Sequence, residues 1–237
     1  MTTTFGYFDL GETFPQPGCA VCNLLLRDAD RLLDSILYEY VTDPEIQADF
    51  RASRGLCNEH GWQFLRADSA LGVAILYQGA LAELIRVTES STPDASSAHG
   101  LLSAVFPQSP ASAIADALEP TTVCIACKMQ KASEECYIST LGEQIVDERL
   151  QSAYRSSEGL CLRHFQQVLR HAQAPERAKL LVSIQTERWS HLHMQLEEFI
   201  RKNNFHHADE KMGEEDISWQ RVVLRLGGHG TFGIHRR

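Results

Sequence analysis

Apolar side chains recur every three or four residues along most of the chain, with charged side chains between them. One face of the segment after Cys22 carries Ala29, Leu32, Leu33, Ile36, Leu37 and Tyr40. The other face carries Arg27, Asp30, Arg31 and Asp34. This spacing predicts an amphipathic helix. Because no stretch of useful length alternates as a half-buried strand would, we predict an all-α fold.

Turn signals divide the helical pattern into shorter pieces. Thr42-Asp43-Pro44 ends the first helix and starts a second, with proline at its first position. We expect that second helix to end near Gly55 in a left-handed cap. Residues 1–18 are expected to form an irregular leader held by aromatic side chains. Further helices are predicted over Ser69–Thr88, Ala111–Leu118, Glu176–Asn203 and Asp216–Leu226.

One arrangement of cysteines and histidines occurs twice: a Cys-x-x-Cys pair, a helical spacer and then Gly-Leu-Cys-x-x-His. The first cassette contributes Cys19, Cys22, Cys57 and His60, and the second contributes Cys124, Cys127, Cys161 and His164. The residues around the Cys-x-x-His pair also match between the two cassettes. They align at an offset of 104 residues, from Asp43 and Asp147 to Arg66 and Arg170. Two matched cassettes indicate an internal duplication.

Three thiols and one imidazole form a complete tetrahedral ligand set for zinc. We expect each cassette to close on itself, so that the outgoing helix and a shorter return helix bring its second ligand pair back to its first. Two zinc ions per chain are predicted, each joining helical hairpins. Four protein ligands leave no position for water, so these sites are predicted to be structural. Arg51, Arg54, Arg155 or Arg163 is expected to offset the negative charge of the thiolates.

Two other chemistries fit the same residues. An iron–sulfur cluster accepts cysteine and histidine, although cysteine alone is the usual pattern. A thiol switch that releases zinc on oxidation is also open, because helix N-termini lower thiol pKa values. A thioredoxin-like site is disfavoured, since that motif accompanies a βαβ unit.

The cassettes suggest a division of the chain into sequential parts. Residues 1–88 and 123–204 would be the two helical repeats, joined by a linker over 89–122 that is rich in Ser, Pro and Ala. Residues 205–237 would add a short helix and a tail rich in Gly, His and Arg.

Composition and charge limit the expected cellular location and the expected classes of binding partner. The chain of 237 residues has a formal net charge of −9, which disfavours a general nucleic-acid binder. No signal peptide is predicted at the N-terminus. The most apolar stretch, Leu71–Leu81, is about half a bilayer span, so no membrane association is expected. A cytoplasmic protein is predicted, in which paired cysteines indicate metal or redox chemistry more than disulfides.

The other reactive side chains have simpler interpretations. Cys136 is interpreted as a small core residue. His191 and His193 do not share a helix face at their spacing and are not expected to bind one metal together. His206 and His207 are assigned to a helix end. No nucleophile motif, phosphate-binding loop or His-Glu-x-x-His is present, so no catalytic residue is predicted.

Several segments together resemble an uncharacterised bacterial family, a domain of unknown function with both cassette elements in duplicate. The likeness rests on Cys19-Ala-Val-Cys22, Ile36-Leu-Tyr-Glu-Tyr-Val41, Gly159-Leu-Cys-Leu-Arg-His-Phe165 and Ser218-Trp-Gln-Arg. The resemblance implies a cytoplasmic helical protein with two metal sites, and it supplies no activity.

We therefore hypothesise a zinc-binding scaffold that interacts with a protein partner. The second hypothesis is a redox-responsive protein acting through zinc release or an iron–sulfur cluster. The third is an enzyme with a pocket between its two halves.

Overall fold

The fold is all-helical, as predicted. A computed structural model describes residues 3–65, 69–91, 110–207 and 209–228, and within these ranges it contains no strand. The helices are α1 Thr3–Thr13, α2 Ala20–Tyr38, α3 Pro44–Ala52, α4 Asn58–Phe64, α5 Ala70–Ser91, α6 Pro110–Leu118, α7 Ile125–Gln144, α8 Glu148–Ser156, α9 Leu162–His171, α10 Pro175–Lys202 and α11 Ser218–Gly227. Short 3-10 turns cover Phe205–His207 and Glu214–Ile217.

The same succession of helices occurs in both halves of the chain. In each half a long helix, α2 or α7, is followed by a nine-residue helix, α3 or α8. Asp43 and Asp147 cap these short helices by accepting hydrogen bonds from two backbone amides each. Such caps satisfy N–H groups that have no partner within the helix. The repeated turn chemistry therefore produces the same local structure twice.

The prediction of an irregular leader is wrong, because residues 3–13 form α1. Leu10 and Phe14 are fully buried, and the ring of Phe14 stacks on that of Tyr154 at 5.0 Å. α1 packs against α8. Because Gly6 and Gly11 have low helix propensity, the local sequence gave little sign of a helix. Tertiary burial of the apolar residues outweighs that weakness.

The chain folds into two compact units that do not follow the predicted sequential parts. Among the described residues, the first unit contains 3–28, 130–207 and 209–228, and the second contains 29–65, 69–91 and 110–129. The division falls inside α2 and inside α7. Each unit therefore combines segments from both halves of the sequence.

Each unit has its own apolar core. In the first unit Leu10, Leu24, Ile138, Leu141, Tyr154, Leu160, Val168 and Leu181 pack with Cys19, Cys22 and Cys161. In the second unit Leu33, Ile36, Phe50, Phe64 and Leu76 pack with Cys124. Four of the predicted ligand cysteines are thus members of the cores, and Cys57 and Cys127 pack against the second core.

α5 differs from the other core helices in its exposed apolar surface. It packs against α3 and α6 through one side, where Leu76 and Ala80 are buried. On the opposite side Leu71 is 74% exposed and Leu81 is 59% exposed. Residues Ala70–Ser90 are long and apolar enough to cross a membrane, with a mean hydropathy of 1.5. One helix of this length and composition is weak evidence for a membrane span.

Candidate metal centres

The first unit brings four of the predicted ligands together in what we call site I: Cys19, Cys22, Cys161 and His164. All four residues are buried, and their ligand atoms lie within 4.8 Å of one another. The imidazole Nδ1 of His164 lies 3.4 Å from the Sγ of both Cys19 and Cys22. It lies 3.2 Å from the Sγ of Cys161, and the Sγ atoms of Cys22 and Cys161 are 3.8 Å apart.

The second unit assembles site II from Cys57, His60, Cys124 and Cys127. The Nδ1 of His60 lies 3.2 Å from the Sγ of Cys57, 3.4 Å from that of Cys127 and 3.9 Å from that of Cys124. The Sγ atoms of Cys57 and Cys127 are 3.5 Å apart. His60 and Cys124 are buried, whereas Cys57 and Cys127 are partly exposed.

These separations match those of a tetrahedral zinc site. With Zn–S bonds of about 2.3 Å and Zn–N bonds of about 2.0–2.1 Å, tetrahedral angles place sulfurs about 3.8 Å apart and sulfur and nitrogen about 3.6 Å apart. Both sites hold their ligand atoms near these distances, with the same imidazole nitrogen directed at the thiols. The eight residues therefore form two groups that are able to hold a metal ion.

The predicted closure of each cassette on itself is wrong, because each site takes one ligand pair from each cassette. Site I joins Cys19 and Cys22 to Cys161 and His164, and site II joins Cys57 and His60 to Cys124 and Cys127. The eight predicted residues are all used, but their partners are exchanged.

The backbone between α3 and Cys57 explains the exchange. The 19 residues of α2 rise about 28 Å, and the nine residues of α3 return only about 13 Å of that distance. For Cys57 to return to Cys22, the segment after α3 would have to be extended. Instead Arg54 has φ 58° and Gly55 has φ 89°, and the Gly55 amide donates to the carbonyl of Phe50 at 2.8 Å. This turn leaves too little reach for Cys57 to return to Cys22.

Helix starts present the ligands in both sites. Cys57 and Cys161 are the N-caps of α4 and α9, so His60 and His164 follow one turn into each helix. Three-residue spacing places both ligands of each pair on one helix face. Gly159 before Cys161 has φ 88°, and a Cβ there would lie 3.1 Å from the Cβ of Arg188. A side chain at this position would meet both backbone strain and a packed neighbour.

Glu158 and Arg54, at aligned positions in the two cassettes, each bind the backbone near the Cys-x-x-Cys segment that completes the site. In the first unit the Glu158 carboxylate accepts a hydrogen bond of 2.9 Å from the Gly18 amide, directly before Cys19. In the second unit Arg54 donates to the carbonyls of Ala117 and Leu118 at 3.0 and 3.3 Å. The Thr121 amide also donates to the Ala52 carbonyl at 2.9 Å. These contacts hold each Cys-x-x-Cys segment beside its Cys-x-x-His helix.

The outer nitrogens of the two histidines have different surroundings. In site I the Nε2 of His164 lies 3.2 Å from a carboxylate oxygen of Glu134, which also accepts hydrogen bonds from Arg163. In site II the Nε2 of His60 is buried with no hydrogen-bond partner among the described residues. A carboxylate on the outer nitrogen fixes the orientation of a ligand histidine and makes it more basic. Only site I has this support within the described ranges.

The protonation of the thiols without metal is uneven in both sites. Burial raises the pKa of Cys19 well above its ordinary value, whereas hydrogen bonds from Cys19 and Cys22 lower that of Cys161. Burial opposes the charging of His164, but hydrogen bonds with Cys161, Cys22 and Glu134 raise its pKa to about 11. Zinc takes thiolate and neutral imidazole, so its binding would release protons from such a group.

Site II shows a similar division between two of its cysteines. Burial acts to raise the pKa of Cys124, but hydrogen bonds with His60 and with backbone amides lower it to about 6. Burial and the neighbouring thiol of Cys57 raise the pKa of Cys127 to about 12. The lowered pKa of Cys124 favours its thiolate and the raised pKa of Cys127 favours its thiol, so a metal that binds both would displace a proton.

Three of the four predicted arginines pair with glutamates. Arg54 lies 3.8 Å from Glu83, and Arg155 lies 4.0 Å from Glu187. Arg163 acts at site I through Glu134, at 2.9 Å, so it supports the acid behind His164. A role for Arg51 beside site II stays a prediction.

Among the other reactive residues, none joins a metal group in the described part of the chain. Cys136 lies close to Gly6 and outside both sites. His193 is 3.6 Å from Glu197, and His207 is 2.9 Å from Glu210. The functional residue that sequence reasoning missed is Glu134. The Cys-x-x-Cys alignment pairs it with Ala29, so comparison of the two cassettes gave no signal for it.

The fold and the two ligand groups define an all-α protein with metal-binding capacity in each of two units. The chain belongs to a family described as a family of unknown function (DUF6062), whose sequence profile matches residues 15–231. It is similar to an uncharacterised 23.9 kDa protein in the xynA 3′ region of Caldicellulosiruptor sp. (strain Rt8B.4). The two are 22% identical over 219 residues, which is 92% of this chain and 98% of the relative. No solved structure matches the chain.

Proposed function

We propose that the protein is a zinc-binding scaffold in which two structural Cys3His sites hold its helices in place for a protein partner. The supporting observation is that each ligand group is complete and lies within one compact unit. In site I the ligands Cys22 and Cys161 are 139 residues apart in sequence. A metal bound there would hold together segments that are far apart in the sequence.

Zinc is favoured over other metals by the donor set. Thiolates with a single imidazole at tetrahedral separations are typical of structural zinc. Four protein ligands leave no coordination position for water or substrate, so the sites do not resemble catalytic zinc. We further propose a cytoplasmic location, where thiols stay reduced. The net charge of −9 favours a protein partner over nucleic acid.

Elemental analysis tests this proposal. The protein would be purified anaerobically without added metal, and zinc, iron and acid-labile sulfide would be measured per chain. We expect two zinc ions per chain, and we expect chelator to unfold the protein. Iron together with acid-labile sulfide would indicate an iron–sulfur cluster in place of zinc. The absence of both metals, with no uptake of added zinc, would contradict the proposal.

A redox role is the second candidate, and the exposure of site II favours it. Cys57 and Cys127 are both partly exposed, and their Sγ atoms are 3.5 Å apart. Peroxide reaches accessible thiolates first. Peroxide titration with a zinc-sensitive dye distinguishes the roles: release of one zinc that thiol reductant reverses supports a switch. Retention of both ions at the same peroxide concentration supports a purely structural role.

A further inference from the structure

A cleft in the first unit contains more cationic groups than its own acids satisfy. Its volume is about 210 Å³, and it lies between α10, α11 and the loop that leads to Cys161. Three guanidinium groups line it, from Arg188, Arg221 and Arg225, together with His191. The carboxylates among its lining residues are Glu158 and Glu214.

Glu158 is already engaged by two of the arginines. Arg225 is 2% exposed, forms an ion pair with Glu158 and donates to the carbonyl of Gly159 at 3.2 Å. The Nε of Arg221 lies 3.3 Å from the other oxygen of the same carboxylate. Glu158 also accepts from the Gly18 amide. One negative charge therefore serves two guanidinium groups and a backbone donor.

Arg188 is the third cation, and its Nε is buried with no hydrogen-bond partner among the described residues. Its Cβ packs close to Gly159, which fixes the start of the side chain beside the loop. Buried polar groups in folded proteins nearly always have a partner, and each exception requires an explanation. An acceptor from outside the chain would satisfy this donor.

We propose that this cleft binds a small oxyanion, a phosphate or carboxylate group, through Arg188 with help from Arg221. Guanidinium groups present paired N–H donors that match the two oxygens of such anions. The cleft is smaller than the roughly 300–1,000 Å³ typical of sites for drug-sized ligands. It therefore fits a small anion or the charged end of a larger molecule. The anion-binding proposal does not rest on the zinc-scaffold proposal.

The loop that forms one wall of the cleft also carries a metal ligand. Glu158 and Gly159 contact Arg225, and Cys161 of site I follows two residues later. Gly228, at the end of α11, is also near site I, since a Cβ there would lie 3.7 Å from the Sγ of Cys161. The anion site and site I therefore share one short segment of backbone.

Isothermal titration of the full chain tests the proposal with two probes, inorganic phosphate and succinate. Sodium chloride replaces each probe at equal ionic strength, because screening alone weakens charge interactions. We expect saturable binding of at least one probe. Phosphate binding alone would identify a phosphate group, and succinate binding alone would identify a carboxylate. If neither probe binds beyond the chloride control, the proposal is wrong.

Substitutions then locate the binding site. Arg188→Gln should weaken binding at least tenfold, and Arg188→Lys should weaken it while keeping the charge. Arg177→Gln is the matched control, because Arg177 lies on the same helix and outside the cleft lining. Circular dichroism and metal content show whether each variant is folded. Unchanged affinity in both Arg188 variants would overturn the assignment, and the metal content reports separately on the zinc proposal.

Discussion

Sites I and II use the same ligand types and nearly the same separations, but they differ in protection. Every ligand of site I is buried, and the outer nitrogen of its histidine contacts Glu134. Site II has two partly exposed cysteines and a buried histidine nitrogen with no partner among the described residues. Equal coordination chemistry therefore lies in unequal surroundings. We therefore expect metal ions at the two sites to differ in binding strength and in accessibility.

The tethers of the two sites use different side chains at aligned positions. Glu158 and Arg54 occupy aligned positions, one residue before Gly159 and Gly55. The carboxylate accepts from a backbone amide, and the guanidinium donates to backbone carbonyls. Opposite charges thus perform the same task of holding a Cys-x-x-Cys segment. Of the two tethers, only Glu158 also pairs with the arginines of the cleft.

The exchanged pairing makes the largest prediction, a difference of one whole metal ion per chain. Cys22→Ser with Cys161→Ser removes two ligands of site I, so one ion should remain. Cys22→Ser with Cys57→Ser removes one ligand from each site, so both ions should be lost or strongly weakened. Elemental analysis of the two double variants measures this. The reverse result would restore closure of each cassette on itself.

The failure to predict this pairing from sequence has a physical cause. Helix periodicity, the Asp43 and Asp147 caps and the N-cap cysteines are local features, and the sequence displays them directly. The partner of each ligand pair depends on the path of the chain over tens of residues. That path changed at Arg54 and Gly55, where we expected extension and the backbone turns.

Glu134 and α1 were missed for a related reason. Glu134 reaches His164 from α7, a helix whose start supplies ligands to site II. Its role is visible only when the exchange is known. The helical state of residues 3–13 depends on burial of Leu10 and Phe14 in the core of the first unit. Tyr7, Leu10 and Phe14 do stand at helical spacing, but Gly6 and Gly11 weakened the local indication of a helix.

Loss of a ligand should destabilise the protein far more than loss of the remaining cysteine. Cys161 is 1% exposed and belongs to both site I and the core, so Cys161→Ser should cost more than about 4 kcal/mol in the free energy of unfolding. Cys136→Ser is the control, because Cys136 lies outside both sites and should cost less than about 1 kcal/mol. Urea denaturation measures both values. Similar small effects would argue against a structural metal at site I.

The unequal protection predicts the order of metal loss. A chelator titration should remove one ion about 100-fold more readily than the other, because site II lacks both full burial and an acid behind its histidine. The variants assign the ions: His60→Ala should abolish the weak phase, and His164→Ala should abolish the strong phase. A single phase that releases both ions from the unmodified protein would show that the surroundings do not matter.

The smallest predicted effect isolates the acid behind His164. Glu134→Gln keeps the shape of the side chain but removes its charge, so it should weaken metal binding at site I about tenfold and leave site II unchanged. Glu135→Gln is the matched control on the same helix, because Glu135 pairs with His171 at 3.3 Å and not with a ligand. Chelator competition measures both affinities. If Glu134→Gln binds metal as the unmodified protein does, exposure of the thiols alone must explain any difference between the sites. If it brings site I toward the affinity of site II, the contact with one carboxylate accounts for much of the difference between two otherwise equivalent ligand sets.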